Sequence, residues 1–348
     1  MDLRVGLVGY GLAGRILHAP LIAATGLAIT AIVTSRSAEA SADFPEAAIV
    51  STPAALFARD DVDLAVIVTP DHLHVEHVRA ALEAGKHVVV DKPFAPTSGE
   101  ALELIALAKA RGRMLTVFHN RRWDADFLTV QKVIGEGALG DVMFFASRWD
   151  RYRPAARADW HDDFMLGELY GLGPHLIDQA LVLFGTPDWL QADVYNQRGL
   201  TKHNDGFELM MGKGKLRISL GVNLLAADEV RSFRVLGTRA AFNKSGLDPQ
   251  EAVLRARAPL SAAFGVESES QWGRLTDGAG ATQVVASERG DWTRFYRGVA
   301  GAIEKNQGPP VDPTDAARVI ALLEAAMDSA AQGARIDVPD YLARKGFA

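Results

Sequence analysis

The chain has 348 residues, 48% of them hydrophobic and 23% charged, which is enough length for about two globular domains. Its net charge of −6 argues against nucleic acid or an anionic membrane as a partner, because both require a basic surface. The chain contains no cysteine, so disulfides, thiolate metal sites and cysteine nucleophiles are excluded. No apolar run approaches the roughly 18 residues of a membrane span, and the N-terminus lacks the zones of a signal peptide. These features predict a cytoplasmic protein.

Strand and helix patterns alternate through the first third of the chain. Short apolar runs predict buried strands at 3–8, 29–33, 64–68, 87–90 and 114–118. Helical patterns separate them at 12–24, 75–84 and 99–110. This alternation predicts βαβ units in a doubly wound parallel sheet, and hence a Rossmann-type dinucleotide-binding domain over residues 1–122.

The pattern changes after residue 122. Helices are predicted at 127–134 and 175–184, with a strand at 141–149, and strand-like runs follow at 206–211, 216–222 and 232–236. Because no helix separates these runs, they predict a large open, mostly antiparallel sheet in an α+β domain over residues 123–348. Residues 265–290 are rich in Gly, Ser and Thr and predict an irregular loop. Helices are expected at 292–304 and 313–331, the second packing back on the first domain.

A glycine motif follows the first predicted strand. The pattern G-x-G-x-x-G is formed by Gly9, Tyr10, Gly11, Leu12, Ala13 and Gly14. Such a motif also fits an ordinary turn, but a strand before it, a helix after it and a second strand behind favour a dinucleotide site. In that site Gly9 permits the tight turn, Gly11 lets the backbone approach a pyrophosphate, and Gly14 lets helix and strand pack closely.

The end of the second strand predicts the type of dinucleotide. An NAD-binding unit usually has Asp or Glu there, about 20 residues further on, to bind the ribose 2′-hydroxyl. This chain has Thr34, Ser35 and Arg36, with no carboxylate near them in the sequence. Arginine grips phosphate with two parallel hydrogen bonds, so these residues suit a 2′-phosphate, although a solvated loop is the alternative. We therefore expect NADP(H) as the preferred cofactor, with NAD(H) possible.

Two residues are candidates for proton transfer and substrate orientation. Lys92 lies at the predicted carboxyl end of a parallel strand, where open α/β sheets bind ligands. A positively charged nicotinamide nearby would lower the pKa of the lysine and let it exchange a proton with a substrate hydroxyl. The alternative is a surface lysine before the turn residue Pro93. His175 follows a Gly- and Pro-rich segment at a helix start, where it either points into a cleft or caps the helix.

Other polar residues are weaker candidates for contact with a substrate or a metal. Asn120, Arg121, Arg122 and Trp123 follow a strand end and either line a substrate cleft or form a solvated turn. Tyr152, in a charged segment, is a candidate for contact with a polyol or an acidic substrate. Residues 160–163, Trp-His-Asp-Asp, lack metal-ligand spacing and predict a loop, so no metal is expected.

Several motifs together resemble the Gfo/Idh/MocA oxidoreductase family, and the resemblance extends over nearly the whole chain. Besides the glycine loop, they are Thr69-Pro70-Asp71-His72-Leu73-His74, Asp91-Lys92-Pro93-Phe94, Asn120-Arg121-Arg122-Trp123-Asp124, Gly173-Pro174-His175-Leu176-Ile177-Asp178 and Leu247-Asp248-Pro249-Gln250-Glu251. The last three look most like the branch that contains NADP-dependent scyllo-inositol dehydrogenases and similar sugar or cyclitol dehydrogenases.

The resemblance implies hydride transfer between a sugar or cyclitol carbon and nicotinamide C4. It places Lys92 in the position of the family's catalytic lysine and His175 in that of its catalytic histidine. It also implies that the cofactor lies along Thr69, Pro70, His72, His74 and the segment Asp91–Lys92. The family's open antiparallel sheet often serves dimerisation, so a homodimer or homotetramer is expected.

One departure from the family pattern concerns the position four residues before His175. The family usually has an aspartate there, whereas this chain has Gly171. Glycine can neither orient an imidazole nor bind a hydroxyl through a side chain. Three explanations stay open: Glu168 or Tyr170 takes over, the substrate carries the missing polar group, or the chain binds NADP without turning over ordinary sugars.

Three functions are therefore compatible with the sequence. The first is an NADP(H)-dependent dehydrogenase or reductase that acts on a sugar, cyclitol or related polyhydroxy carbonyl compound. The second is a non-catalytic NAD(P)-binding sensor, which the glycine at position 171 favours and the retention of Lys92 and His175 disfavours. The third is a redox-neutral enzyme that keeps NAD(P) tightly bound.

Overall fold

A computed structural model describes residues 3–155, 167–228, 231–305 and 307–347. The chain divides into two compact units, each built from three segments. The first unit comprises Met1–Asn120, Gln250–Phe264 and Asp291–Ala317, and the second comprises Arg121–Pro249, Gly265–Gly290 and Arg318–Ala348. The first unit thus takes in two segments that the sequence analysis assigned to the second domain. The predicted loop at 160–163 lies outside the described residues.

The first unit is built on a parallel sheet, and in the described part of the chain this sheet has six strands. They are β1 (Arg4–Val8), β2 (Ala28–Val33), β3 (Ala48–Val50), β4 (Leu64–Ile67), β5 (His87–Val90) and β6 (Leu115–Val117). Their order is β3-β2-β1-β4-β5-β6, and every neighbouring pair is parallel. The predicted doubly wound sheet is therefore confirmed. The strand order reverses between β1 and β4, and ligands of such sheets bind at the carboxyl ends of the strands beside that point.

The second unit is built on a mixed sheet, which has nine strands among the residues described. They are β7 (Val142–Trp149), β8 (Trp189–Tyr195), β9 (Gly206–Lys213), β10 (Leu216–Asn223), β11 (Arg231–Gly237), β12 (Ala240–Ser245), β13 (Gly273–Asp277), β14 (Thr282–Val285) and β15 (Ile336–Asp337). The order is β14-β13-β12-β11-β7-β10-β9-β8-β15. Only β7 and β10 pair in parallel within this described sheet, so the predicted mostly antiparallel arrangement is confirmed.

The prediction of an irregular loop over 265–290 is wrong in part, because β13 and β14 form a hairpin there. The residues of β14 are mostly exposed, so the strand has no apolar alternation that a sequence pattern could reveal. Its polar residues instead pair across the hairpin, where the Thr276 and Thr282 hydroxyls lie 2.8 Å apart.

The helices of the described residues flank these two sheets. They are α1 (Ala19–Ala24), α2 (Ser37–Asp43), α3 (Pro53–Phe57), α4 (His74–Glu83), α5 (Ser98–Arg111), α6 (Ala125–Gly135), α7 (Glu168–Gly171), α8 (Gly173–Phe184), α9 (Gln250–Arg255), α10 (Thr293–Glu304), α11 (Pro313–Gln332) and α12 (Val338–Arg344). Local signals fix their ends: α5, for example, begins with a capping box between Thr97 and Glu100 and ends at Gly112, whose φ is +60°.

The helix predicted over residues 12–24 is interrupted near its middle. The segment Ala13–His18 is a π-helix, in which the Ala19 N–H donates to the Gly14 carbonyl, and α1 follows directly. Pro20 has no N–H to continue a regular hydrogen-bond ladder, which gives a local reason for the change. The wider turn lies directly after the glycine loop, and π-turns within helices occur frequently at functional sites.

Candidate active site

The glycine loop joins β1 to the first helix with backbone geometry that two of its glycines require. Gly9 has φ +104°, and a Cβ there would lie 2.4 Å from the Val68 carbonyl oxygen. A Cβ at Gly14 would lie 2.1 Å from the Gly9 carbonyl oxygen. A Cβ at Gly11 would meet nothing within 4 Å. The loop therefore fits a dinucleotide, because its backbone is open at Gly11 and tightly packed at the other two positions.

Tyr10, inside the glycine motif, turns its side chain into the protein. The ring is 2% exposed, and its hydroxyl donates to Asp43 Oδ2 at 2.8 Å. Arg15 Nε donates to the same oxygen at 2.8 Å, and Arg257 binds the other. Burial opposes ionisation of Asp43, but these hydrogen bonds outweigh it and lower the carboxyl pKa to about 2. Tyr10 and Arg15 thus connect the loop to the end of α2.

Arg257 holds Asp43 from an unusual backbone conformation. Its φ is +53°, and in the described residues no other non-glycine residue has positive φ. The position follows the end of α9, where glycine is usual, and the Arg257 N–H closes the turn on the Leu254 carbonyl. The side chain lines an open cavity of about 330 Å³ that also borders Arg15 and Phe44. Sequence analysis did not identify Arg257. Neither the preference for glycine after a helix end nor the spacing along the chain links residue 257 to residue 43.

The end of β2 presents a hydroxyl and a guanidinium to solvent. Ser35 is exposed, and the Arg36 side chain is 58% exposed. The Arg36 backbone N–H donates to Thr34 Oγ1 at 2.9 Å, which shapes the turn. A carboxylate does approach this place: Glu39 Oε1 lies 3.8 Å from Arg36 Nη1 and 3.8 Å from Arg15 Nη1. It comes from the first turn of α2, three residues beyond Arg36, and reading 37–43 as a helix would have revealed it.

The loop after β4 contains both exposed and buried candidates. Pro70 is exposed, and the His72 side chain is 53% exposed. Thr69 Oγ1 lies 3.2 Å from His77 Nδ1. His74 is 1% exposed, with Nδ1 2.8 Å from the Pro93 carbonyl oxygen and Nε2 3.0 Å from the Thr69 carbonyl oxygen. His74 therefore joins the two loops after β4 and β5.

Lys92 lies directly after β5, at the carboxyl edge of the first sheet. Its backbone N–H donates to Asp91 Oδ1 at 2.8 Å, and the peptide bond to Pro93 is cis. Burial opposes ionisation of Asp91, but contacts with His18 and with the Lys92 charge outweigh it and lower the pKa of the carboxyl. An anion therefore lies beside the predicted catalytic lysine, while His74 holds the following residue.

In the second unit, Arg122 is fixed to the helix that carries His175. Arg122 Nε and Nη2 donate to the two carboxylate oxygens of Asp178, at 2.8 and 2.6 Å. Asp178 lies three residues after His175 on α8 and is 1% exposed. This bidentate pair connects Arg122 to α8. His175 is 6% exposed, and its ring lies 5.9 Å from the ring of Trp149.

The neighbourhood of Gly171 contains a carboxylate. A Cβ at Gly171 would lie 3.7 Å from Glu168 Oε2, which is its nearest atom within 4 Å. Glu168 is 8% exposed. Tyr170 is also buried, and burial together with Glu324 and Asp328 raises the pKa of its hydroxyl. Glu168 therefore places a carboxylate next to the position of the missing side chain.

The remaining sequence candidates differ in exposure and in the unit that contains them. Asn120 ends the first segment of the first unit and is 5% exposed, and Trp123 is half-buried in the second unit. Tyr152 forms an isolated antiparallel bridge with Leu225 and is 46% exposed. The described residues contain no cluster of His, Asp and Glu suited to a metal ion. No described helix combines the length and apolar character needed to cross a membrane.

Family models match both parts of the chain. The model described as "Oxidoreductase family, NAD-binding Rossmann fold" matches residues 3–119, and the one described as "Oxidoreductase family, C-terminal alpha/beta domain" matches residues 131–338. Both are Gfo/Idh/MocA models. Together they span the glycine loop, Lys92 and His175.

Individual relatives match along nearly their whole length. The uncharacterized oxidoreductase YdgJ of Escherichia coli is 40% identical, covering 94% of this chain and 96% of its own. The scyllo-inositol 2-dehydrogenase (NADP(+)) IolW of Bacillus subtilis is 38% identical, covering 94% and 93%. The solved structure of the oxidoreductase yvaA from Bacillus subtilis superposes with a TM-score of 0.93 at 37% identity, covering 97% and 98%. The chain belongs to the Gfo/Idh/MocA oxidoreductase family.

Proposed function

We propose that this protein is an NADP(H)-dependent dehydrogenase or reductase that acts on a CH–OH group of a sugar, cyclitol or related polyhydroxy compound. The observation that carries the proposal is Lys92, which follows β5 at the same sheet edge as the open backbone of Gly11. The IolW relative, named as an NADP-dependent cyclitol dehydrogenase, supports both the cofactor and the substrate class.

The cofactor is bound by the loops at the carboxyl ends of the first sheet. The backbone of Gly11, Leu12 and Ala13 would hold the pyrophosphate, because the first helix begins there and its N–H groups favour an anion. Exposed Pro70 and His72 would contact the nicotinamide side of the cofactor. When bound, the nicotinamide supplies the hydride acceptor or donor of the reaction.

Lys92 exchanges the proton that accompanies hydride transfer. In the oxidative direction its neutral amine takes the proton of the substrate hydroxyl, and in the reductive direction its ammonium returns it. The Asp91 carboxylate below it favours the ammonium form, whereas a positively charged nicotinamide disfavours it. The two charges thus act in opposite directions on the proton affinity of the Lys92 amine.

His175 orients and polarises the reacting oxygen, with Glu168 in place of the family's aspartate. The Glu168 carboxylate occupies space beside Gly171, so the chain supplies the missing acceptor from a position three residues earlier. Arg122 and Asp178 hold α8 and thereby the imidazole. Tyr152 and Trp123 remain candidates for contact with the outer hydroxyls of the substrate.

We propose a preference for NADP(H) over NAD(H), which remains usable. Exposed Ser35 and Arg36 offer a hydroxyl and a guanidinium to a 2′-phosphate. Glu39 weakens this preference, because its carboxylate lies 3.8 Å from the same guanidinium. The measured quantity is the ratio of kcat/KM for the two cofactors, and a value well below one for NADP over NAD would contradict the preference.

We also propose that two copies associate through the open face of the second sheet. Met210 on β9 and Val284 on β14 are large apolar side chains that are 38% and 57% exposed. Met210→Lys should increase the monomer fraction in analytical ultracentrifugation. Val182→Lys, at an exposed position of α8, is the matched control. Equal monomer fractions in both variants would contradict the proposal.

The function is tested by NADPH oxidation against ketoses, inososes and sugar lactones. Lys92→Ala should reduce turnover by at least about a hundredfold and leave the NADPH dissociation constant nearly unchanged. Lys109→Ala, at an exposed position of α5, is the matched control. Unchanged kcat in Lys92→Ala would refute the role of the lysine. Tight NADPH binding with no turnover of any compound would favour a sensor.

A further inference from the structure

Beneath Lys92, the first unit contains a line of buried polar side chains from three distant segments. Tyr296 on α10 and His18 before α1 are both 0% exposed. The Tyr296 hydroxyl lies 2.6 Å from His18 Nδ1, and His18 Nε2 lies 3.8 Å from Asp91 Oδ1. That same oxygen accepts the Lys92 backbone N–H at 2.8 Å. The line thus extends from the protein interior to the backbone of the proposed catalytic lysine.

Aromatic rings fix the orientation of the His18 imidazole. The Phe118 ring lies 4.0 Å from it, centroid to centroid, and Phe118 is itself packed edge-on against Phe295 at 4.9 Å. The buried imidazole thus packs against the Phe118 ring, and its polar atoms are its two nitrogens. One faces the Tyr296 hydroxyl and the other faces Asp91.

The Tyr296 hydroxyl lies where it can donate its proton to His18 Nδ1. Burial raises the pKa of this phenol well above its usual value, so it remains neutral and has a proton to donate. When the phenol donates to Nδ1, neutral His18 must carry its own proton on Nε2. The Nε2–H then points at the Asp91 carboxylate.

The distance from Nε2 to Asp91 is too long for a hydrogen bond, and Nε2 has no other hydrogen-bond partner among the described residues. A buried nitrogen in that state calls for a functional explanation. Here the N–H dipole faces an anion in a site of low dielectric, where such an interaction is strong. The charged and titratable groups that face Asp91 are His18, Lys92 and His74, with Tyr296 behind His18.

We infer that Tyr296 and His18 are positioning residues for Lys92, which act by orienting the Asp91 carboxylate beneath it. The inference rests on the proposed function only for the catalytic role of Lys92. The contact of Asp91 with Lys92 does not depend on it. If His18 loses its N–H, the carboxylate loses its orienting dipole, and the Lys92 backbone and ammonium lose a fixed neighbour.

The first experiment measures the tautomer of His18 without any substrate. In protein labelled with ¹⁵N-histidine, long-range ¹H–¹⁵N spectra distinguish Nε2–H from Nδ1–H imidazole, and His18→Gln identifies the signal by its loss. We expect the Nε2–H form in the natural chain and a mixture of both tautomers in Tyr296→Phe. An Nδ1–H tautomer in the natural chain, or the same tautomer in both proteins, would overturn the inference.

The second experiment measures the reactivity of Lys92 itself. Competitive acetylation with acetic anhydride across pH, read by mass spectrometry of the Lys92 peptide, reports the titration midpoint of the amine. His18→Leu and Tyr296→Phe should move this midpoint to lower pH, because the Asp91 carboxylate stays but is no longer held in a fixed orientation beside Lys92. His18→Gln should retain it, since its amide N–H replaces Nε2–H. Lys109 in the same samples is the internal reference.

Turnover links this positioning to catalysis. In His18→Leu we expect kcat to fall about ten- to a hundredfold with an unchanged NADPH dissociation constant, and His18→Gln should recover most of the loss. Tyr341→Phe removes a phenol hydroxyl from α12 in the second unit and serves as the matched control. Thermal melts identify variants that fail to fold.

The failures of the two proposals are distinguishable. If no substrate is turned over, the tautomer and the acetylation midpoint still test the inference. If Lys92→Ala loses turnover while His18→Leu and Tyr296→Phe leave the Lys92 midpoint and kcat unchanged, the proposed function stands and the inference is overturned.

Discussion

The two sheets bury their residues in different ways, and their candidate sites differ accordingly. In the first sheet β4 is buried at every position, whereas β8 in the second sheet alternates buried and exposed residues over positions 190–193. A strand covered on both faces meets ligands only at its end, where the backbone of Gly11 is open. A sheet with one open face leaves its chemistry to side chains on covering helices, such as His175 on α8. The first site therefore depends on backbone sterics and the second on contacts between side chains.

The strongest test of this difference is a methyl group at two glycines. Gly14→Ala should unfold the first unit or abolish NADPH binding, because its Cβ would lie 2.1 Å from a carbonyl oxygen. We expect a destabilisation of about 3 kcal/mol or more, from the strain and the displaced backbone. Gly11→Ala, where the Cβ meets nothing, should keep its melting temperature and lose only affinity for NADPH.

Thermal melts and NADPH fluorescence titrations measure both effects. If Gly14→Ala melts at the same temperature as Gly11→Ala and binds NADPH equally well, backbone sterics do not define the first site.

The same steric requirements explain which parts of the molecule can be predicted from the sequence. Buried parallel strands and the glycine turn leave residue patterns that are visible locally, so the fold class was predicted correctly. The hairpin of β13 and β14 was not, because exposed polar strands carry no such pattern. Contacts between distant segments, such as Arg257 with Asp43 and His18 with Tyr296, depend on tertiary packing that no local spacing encodes.

In the second unit, the most informative test moves one carboxylate from residue 168 to residue 171. Glu168→Ala should lower kcat about ten- to a hundredfold, because His175 loses the acceptor beside Gly171. Adding Gly171→Asp to that variant should restore much of the rate, since the Cβ position has room and the family usually carries aspartate there. Glu136→Ala, at the end of α6, is the matched control.

Steady-state kinetics of the two single variants and of the double variant decide the point. Full activity in Glu168→Ala would contradict the role of Glu168 and leave Tyr170 or the substrate as the source of the missing polar group.

A smaller effect is expected at Asp43, which stabilises the first unit through contacts between side chains rather than through backbone geometry. Its carboxyl pKa of about 2 lies below the usual value, so ionised Asp43 stabilises the fold at neutral pH. That contribution is present above about pH 4 and is lost as the pH falls through about 2. Because the adjoining cavity is open to solvent, we expect Asp43→Asn to cost about 1–2 kcal/mol at pH 7.

Urea unfolding at pH 7 and at pH 3 measures this contribution, and the difference between Asp43→Asn and the natural chain should shrink at the lower pH. Asp312→Asn, before α11, is the control for loss of an aspartate. A gap that widens on acidification would contradict the lowered pKa.

The smallest expected effect concerns Glu39, an acidic side chain beside the proposed binding site of the 2′-phosphate. Its carboxylate lies 3.8 Å from both Arg36 and Arg15, and all three side chains are partly exposed. Glu39→Gln should tighten NADPH binding about two- to fivefold at low salt, because the 2′-phosphate no longer meets a competing anion. The affinity for NADH, which lacks that phosphate, should be nearly unchanged.

The dissociation constants of both cofactors, measured at low and high salt, test this expectation against Glu83→Gln, which removes the same charge near the end of α4. The gain for NADPH should diminish at high salt, since the interacting charges are solvent-exposed. An equal gain for NADH would mean that Glu39 acts on the shape of the loop and not on the 2′-phosphate. In that case the cofactor preference would arise from the backbone turn at Thr34, and the first unit would be governed by backbone geometry throughout.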